Sequence, residues 1–448
     1  MDRLFTVMER GALMVLCVSY GALIAFLNAW PYDPYIKNAM LGIEALTFNL
    51  KLQMGYMSAD IWAPEDTTPV KRGVTIAKPG HDEKGLVLLT VGEMAKLLDR
   101  KGNVVHEWSV PYAALPPGVG RIEAMHDDMM YWQRARVTPE GDLIVLVNHN
   151  YYSPDGLAIM RLDRNSKVKW IRYGHYHHDF DIAPDGKIYA LWQDTLDKLP
   201  ANLELMGAPV LDEGIAVLDA DGKMLQRQSI LQAISNSKYQ AIALAAGVTE
   251  DAETGDRMHN NNVDVLSTEQ AAHIEGAKAG DILLSWREMD AIGVLNLEKN
   301  KIVWASRGSY HRQHDADLLP NGNIMLFDNM GSWQRNGDSR VIEFDPVSEA
   351  IVWQYPPVGS KEILWSKIRA EQALLPNGNI FINESQGSRL IEVNRQHEIV
   401  WEYRCNFSFK NDGKHFCSTK SSMPYQPSDL PFLSASPSAD GLKLSTLN

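Results

Sequence analysis

The sequence predicts an all-β protein: a six-bladed β-propeller preceded by a single N-terminal transmembrane helix. Three observations carry this. Short apolar, β-branched runs recur around tight turns at Pro139-Glu140-Gly141, Pro184-Asp185-Gly186, Pro320-Asn321-Gly322 and Pro376-Asn377-Gly378, with Gly280-Asp281 as a degenerate copy. Aromatic residues close the same units at Trp108, Trp170, Trp304, Trp353 and Trp401, and Gln226 stands in the remaining place. An uncharged apolar stretch, residues 11–30, precedes them all.

Each unit carries a second hairpin before its closing residue. Examples are residues 97–104 and residues 341–353, the latter with Asp345-Pro346 at the turn. About four short strands per unit is the composition of a propeller blade. Six units fall at about 70–108, 136–170, 178–226, 259–304, 314–353 and 372–401. A closed ring removes exposed sheet edges, and independent solenoid repeats are usually shorter than these. The longest loop, 228–258, contains an Ala-rich piece read as helical around residues 239–247.

Residues 11–30 are long enough to cross a bilayer and end in a poor cleavage site, Leu27-Asn28-Ala29, so they read as an uncleaved anchor. Arg3 and Arg10 ahead of them favour the N-terminus inside. The propeller is then expected on the periplasmic or extracellular side of the inner (cytoplasmic) membrane. The division expected is 1–38 anchor, 39–69 helical stalk or linker, 70–405 propeller and 406–448 C-terminal tail. A membrane protein partner or a homo-oligomer would suit residues 39–58. The formal net charge of −13, with no basic block, argues against nucleic acid. Cys405 and Cys417 are compatible with one local disulfide or with two thiols, and no metal-type Cys/His spacing is present.

The repeats act as controls for one another. Six residues before the turn proline, unit three has His178 and unit five His314, whereas units two and six have Gln133 and Ala370. Unit four lacks the proline, but His259 opens an equivalent run. The first strand of a blade lines the central channel, so these histidines converge on the axis. Seven residues after the turn glycine stand Asn148, Gln193, Asn329 and Ser385, with Arg287 in unit four. Three imidazoles, one guanidinium and several amides suit a tetrahedral anion. One histidine at a strand start usually satisfies a local bond; three at one register with a lone arginine point to a site. Asp179, Asp181, Asp315 and Asp317 recur in both histidine blades and read as blade-stabilising hydrogen bonders. Arg340 and Arg389 read as structural. His126, His149, His273 and His397 read as surface or loop residues. A three-histidine metal site is opposed by Arg287 in the same pocket.

Residues Gln313-His314-Asp315-Ala316-Asp317-Leu318-Leu319-Pro320-Asn321-Gly322-Asn323, then Phe327-Asp328-Asn329 and Ser339-Arg340, resemble the bacterial arylsulfate sulfotransferase family. His259-Asn260-Asn261, Ser285-Trp286-Arg287 and His178-Asp179 resemble further elements of that family. The resemblance implies a six-bladed propeller that moves a sulfuryl group from an aryl sulfate donor to a phenolic acceptor, with no nucleotide donor and no cofactor. It implies His314 as the nucleophile, with Arg287 and Asn261 on the sulfuryl oxygens. His178 and His259 would bind the sulfuryl group and assist proton transfer. Asn329 is expected among the substrate-binding residues. The competing expectation is a non-catalytic propeller scaffold in a membrane complex.

Overall fold

The computed structural model describes residues 71–118, 130–149, 154–196, 198–207, 210–244, 255–332, 338–407 and 419–434. The expected membrane helix and stalk, residues 1–69, lie outside them. Among the described residues no helix is long and apolar enough to cross a membrane.

The described strands form six antiparallel sheets, the six blades of a propeller. Blade two runs Met130–Val137, Leu143–His149, Ala158–Leu162 and Val168–Tyr173 from the axis outward. Blades three to six begin on the axis with Tyr176–Ile182, Asn260–Val265, His314–Leu318 and Glu371–Leu374. Second strands are covered on both faces, so they need continuous apolar runs: Leu143–His149, Ile282–Trp286 and Ile380–Glu384 are buried throughout. Outer strands such as Val104–Ser109 are largely exposed.

The closing tryptophans hold neighbouring blades together. Four of the indole N–H groups donate to a turn carbonyl of the next blade: Trp108 to Gly141, Trp170 to Ala220, Trp353 to Arg395 and Trp401 to Arg100. A buried indole needs such an acceptor, which explains the periodicity.

Two ends of the chain differ from expectation. Gly73–Ala77, read as the start of blade one, pairs with Ile399–Arg404 as a fifth, outermost strand of blade six. Ser422–Tyr425, inside the segment read as a tail, pairs with Leu86–Val91 and is the innermost strand of blade one. The ring is therefore closed by strands from both ends of the described chain. The segment from 406 onward contributes to the propeller because blade one would otherwise leave an open edge on the axis. In the long loop, helices cover Ile230–Ser235 and Gln240–Leu244, the first capped by the Ser229 hydroxyl. Cys405 is buried and disulfide-bonded, and Cys417 lies outside the described residues.

The inner strands present backbone N–H groups that have no strand partner on the axis side. Side chains of the preceding blade accept them. Gln133 takes His178 N, Asp179 takes Val263 N, Asp181 takes Val265 N, Asp315 takes Gln372 N, and Glu371 takes Ser422 N. Each hydrogen bond to a charged acceptor contributes about 1.5–3 kcal/mol. The recurring aspartates are thus inter-blade bonders. Arg340 pairs with Asp328, and Arg389 with Glu384, Glu362 and Glu402.

Candidate active site

The inner strands do not run straight past the axis. Their pairing skips at one level: between Trp132 and Arg134, between Asn260 and Val263, and between His314 and Asp317, with a matching skip opposite Ala190 and Trp192 in blade three. Such bulges re-aim side chains. At this level His178, His259 and Asp315 have left-handed φ of 53°, 50° and 54°. Non-glycine residues there cost of order 1–3 kcal/mol each, and the surrounding blades must hold them in place.

The result is a cavity on the axis to which every blade contributes. It is lined by Gln133, His178, Asn261, His314, Arg369 and Lys420, from blades two to six and from the segment leading into blade one's inner strand. The His259 ring lies edge-on to His178, centroids 4.7 Å apart. Arg287 follows directly, its N–H donating to the His259 carbonyl at 3.1 Å. The Arg287 side chain is buried and paired with Glu288, and its charge reaches both His314 and His178. The structure therefore brings His178, His259, His314, Arg287 and Asn261 together from three blades, as their register implies.

His314 is held in one tautomer. Its Nδ1 lies 2.8 Å from Asn329 Oδ1 and 3.2 Å from the Arg312 carbonyl, so Nδ1 carries the hydrogen. The Asn329 amide cannot be turned round, because its Nδ2 donates to the carbonyls of Ser366 and Arg369, each at 2.7 Å. His314 Nε2 then carries the lone pair on the cavity wall, where it accepts the Arg369 N–H at 3.3 Å. Burial, then the Arg287 charge, hold the His314 pKa well below its ordinary value. Burial and the neighbouring His259 do the same to His178. His314 is a neutral base with a directed lone pair, which is the condition for a nitrogen nucleophile.

Asn329, expected to contact substrate, instead spends its oxygen on His314 and its nitrogen on two carbonyls. It stands behind the imidazole. Asn261 donates one Nδ2 hydrogen to the Gln313 carbonyl at 2.9 Å, and its buried Oδ1 has no hydrogen-bond partner. A second Nδ2 hydrogen remains for a ligand.

Beneath the cavity Arg134 joins three blades. Its guanidinium meets Asp179 at 2.8 Å, Asp315 at 3.3 Å and Glu371. Burial pushes Asp315 up to about 7 against the opposing pull of Arg134. This cluster fixes the floor on which His178 and His314 stand.

The sequence reading missed three groups. Asp256 bonds His259 Nδ1; it lies three residues ahead, in a position no other blade repeats. Arg369 sits one residue before Ala370, which the register comparison had aligned. Lys420 was hidden in the supposed tail. His149, read as a surface or loop residue, is 3% exposed at the end of a strand. His126 lies outside the described residues. Among those residues no His/Cys/Asp/Glu group is arranged to hold a metal ion.

A propeller whose axial cavity joins a neutral, oriented histidine to fixed arginine and amide donors has the parts needed to bind a small oxyanion and accept a group from it. The chain belongs to the arylsulfotransferase family: the family model described as Arylsulfotransferase (ASST) matches residues 139–406, more than half of its length. No curated protein matches it. Among solved structures it is similar to a protein of unknown function from Bacteroides caccae, at 12% identity and TM-score 0.47, covering 77% of this chain and 99% of that one. It is also similar to a virginiamycin B lyase from Staphylococcus aureus with quinupristin, at 10% identity and TM-score 0.38, covering 81% and 97%. A third likeness is to the Dos1 propeller, at 8% identity and TM-score 0.39, covering 75% and 76%. At these scores the structural likenesses carry no part of the functional argument.

Proposed function

We propose that this family member moves a sulfuryl group from an aryl sulfate to a phenol through a sulfohistidine at His314. The observation that carries the proposal is the tautomer of His314, with Nδ1–H tied to Asn329 and the unprotonated Nε2 on the cavity wall, accepting the Arg369 N–H. In the first half-reaction Nε2 gives up the Arg369 N–H and attacks sulfur, the N–S bond forms and the S–O(aryl) bond breaks. The ring becomes a sulfoimidazolium that still donates Nδ1–H to Asn329. Arg287, the second Nδ2 hydrogen of Asn261 and the Arg369 N–H offset charge on the sulfuryl oxygens. His178 and His259, the latter backed by Asp256, handle the proton of the phenolic oxygen. In the second half-reaction an acceptor phenol loses its proton, attacks sulfur and releases Nε2.

Residues 1–38 are proposed, on their composition, to anchor the propeller to the inner membrane, with the site outside the cytoplasm. The test of the chemistry is acceptor dependence. A chromogenic aryl sulfate should release one equivalent of phenol per site alone, and should turn over only when a second phenol is added. Turnover without an acceptor, or no release across a panel of donors by folded protein, would contradict it.

A further inference from the structure

One buried group beside the site has no part in the scheme above. His177, adjacent to His178, is fully buried. Its Nδ1 lies 2.7 Å from His178 Nδ1. Each neutral ring carries one N–H, so a single proton must sit between these two nitrogens. His177 Nε2 makes no hydrogen bond and lies 3.8 Å from Glu213 Oε1. Glu213 is 1% exposed on Leu211–Leu218, two strands out from the axis in the same blade. Its two oxygens receive the Asn260 N–H at 3.2 and 3.0 Å. His178, His177 and Glu213 thus form a row leading from the cavity wall into the body of blade three.

We propose that this row is a proton relay in which His177 and Glu213 act through His178, supplying the proton to the departing phenolic oxygen and taking it back from the acceptor. It rests on the sulfuryl-transfer reading above. In the resting state Glu213 is protonated, His177 Nδ1–H donates to His178 Nδ1, and His178 shows Nε2–H to the cavity. As the S–O(aryl) bond breaks, the phenolic oxygen takes the His178 Nε2 proton. His178 Nδ1 takes the proton of His177 Nδ1, and His177 Nε2 takes that of Glu213. The negative charge of the phenolate ends on the Glu213 carboxylate, where the Asn260 N–H receives it. The second half-reaction runs the three transfers backwards. The 3.8 Å gap must close by about 1 Å, a tightening expected when a site fills.

The surroundings support the resting state. Burial, then repulsion from Asp256, hold Glu213 well above the ordinary carboxylate range; Asp155 and Asp212 add to this. Burial pushes His177 down to about 4, with His259 and His175 opposing its charge and Asp256 favouring it. An uncharged row of one acid and two imidazoles is what these directions imply. A relay of this kind adds no net charge beside Arg287, whereas a protonated His178 would.

The experiment uses pre-steady-state sulfation by the full chain with two donors, phenyl sulfate and 4-nitrophenyl sulfate. Phenolate is the stronger base and needs a proton to leave; 4-nitrophenolate needs it far less. Glu213→Gln keeps an oxygen for Asn260 N–H but has no acidic proton to pass on. It should slow sulfation by phenyl sulfate at least tenfold more than sulfation by 4-nitrophenyl sulfate. Equal slowing of both donors, or no slowing of either, overturns the relay. If Glu213→Gln does not fold, His177→Gln is read by the same donor ratio. Wild-type protein that sulfates His314 with an unchanged ratio in the variants loses the relay alone. Wild-type protein that sulfates no histidine with either donor loses the sulfuryl-transfer reading and the relay with it.

Discussion

Replacing Asn329 by alanine separates the orientation of His314 from the nucleophile itself. The imidazole keeps its place in the cavity wall but loses the acceptor at 2.8 Å that fixes its Nδ1–H. On the proposed sulfohistidine route that bond strengthens as the ring gains positive charge, so it acts mainly on the transition state. A hydrogen bond from a charged group is worth about 1.5–3 kcal/mol. Since 1.36 kcal/mol is tenfold in rate, about 2 kcal/mol gives roughly a 30-fold slower sulfation. Stability should fall too. The Ser366 carbonyl still receives Ser339 Oγ at 3.0 Å, but the Arg369 carbonyl loses the amide that served it. Losing one hydrogen bond to a part-buried carbonyl costs about 0.5–1.5 kcal/mol. The assay is the burst of 4-nitrophenol release in a single turnover, with urea denaturation measured in parallel. A burst rate within threefold of wild type would refute the reasoning, because Asn329 would then not be orienting the reacting ring. Asn329→Asp keeps the acceptor but lacks the NH2 donor, so it should recover most of the rate and little of the stability.

Further outcomes follow from the same geometry. Protonation of His314 removes its lone pair, and its folded pKa lies below the ordinary 6.5. The sulfation rate should therefore hold steady as pH falls through 6.5 and drop only below it; half-loss near 6.5 in a pH–burst profile would show an ordinary histidine. Arg134→Met leaves Asp179, Asp315 and Glu371 buried without their shared cation. Breaking such a set costs about 3–5 kcal/mol, readable as a lower urea midpoint. Truncation before residue 419 removes Ser422–Tyr425 and the Glu371 cap on Ser422 N. It should abolish cooperative unfolding, read as a lost sigmoidal transition in the melting curve.

Much of the ring was legible because its signals repeat. Turn glycines and closing tryptophans recur in most blades, and Trp108, Trp170, Trp353 and Trp401 bond the next blade's turn. Repetition also exposed the histidines, since a generic inner strand has no reason to begin with one. What failed to show was whatever occurs once and depends on distant pairing. Ser422–Tyr425 is four residues long and contains Pro424; only its partner Leu86–Val91 makes it a strand. Asp256 and Lys420 have no counterpart in other blades. Asn329 stood at the right register for a ligand contact, but the carbonyls that claim its amide lie 37 and 40 residues further on. Register to His314 selects His178 and passes over His177, because register carries no information about which ring leans on which.

The central claim is that His314 Nε2 carries the sulfuryl group between the two phenols. Mass spectrometry of peptides spanning residues 314–329, after incubation of the protein with an aryl sulfate and no acceptor, tests it most directly. The account predicts a sulfuryl adduct on His314 that disappears when a phenol is added. An adduct on another residue, or an unmodified His314 in protein that still transfers sulfate, would contradict it.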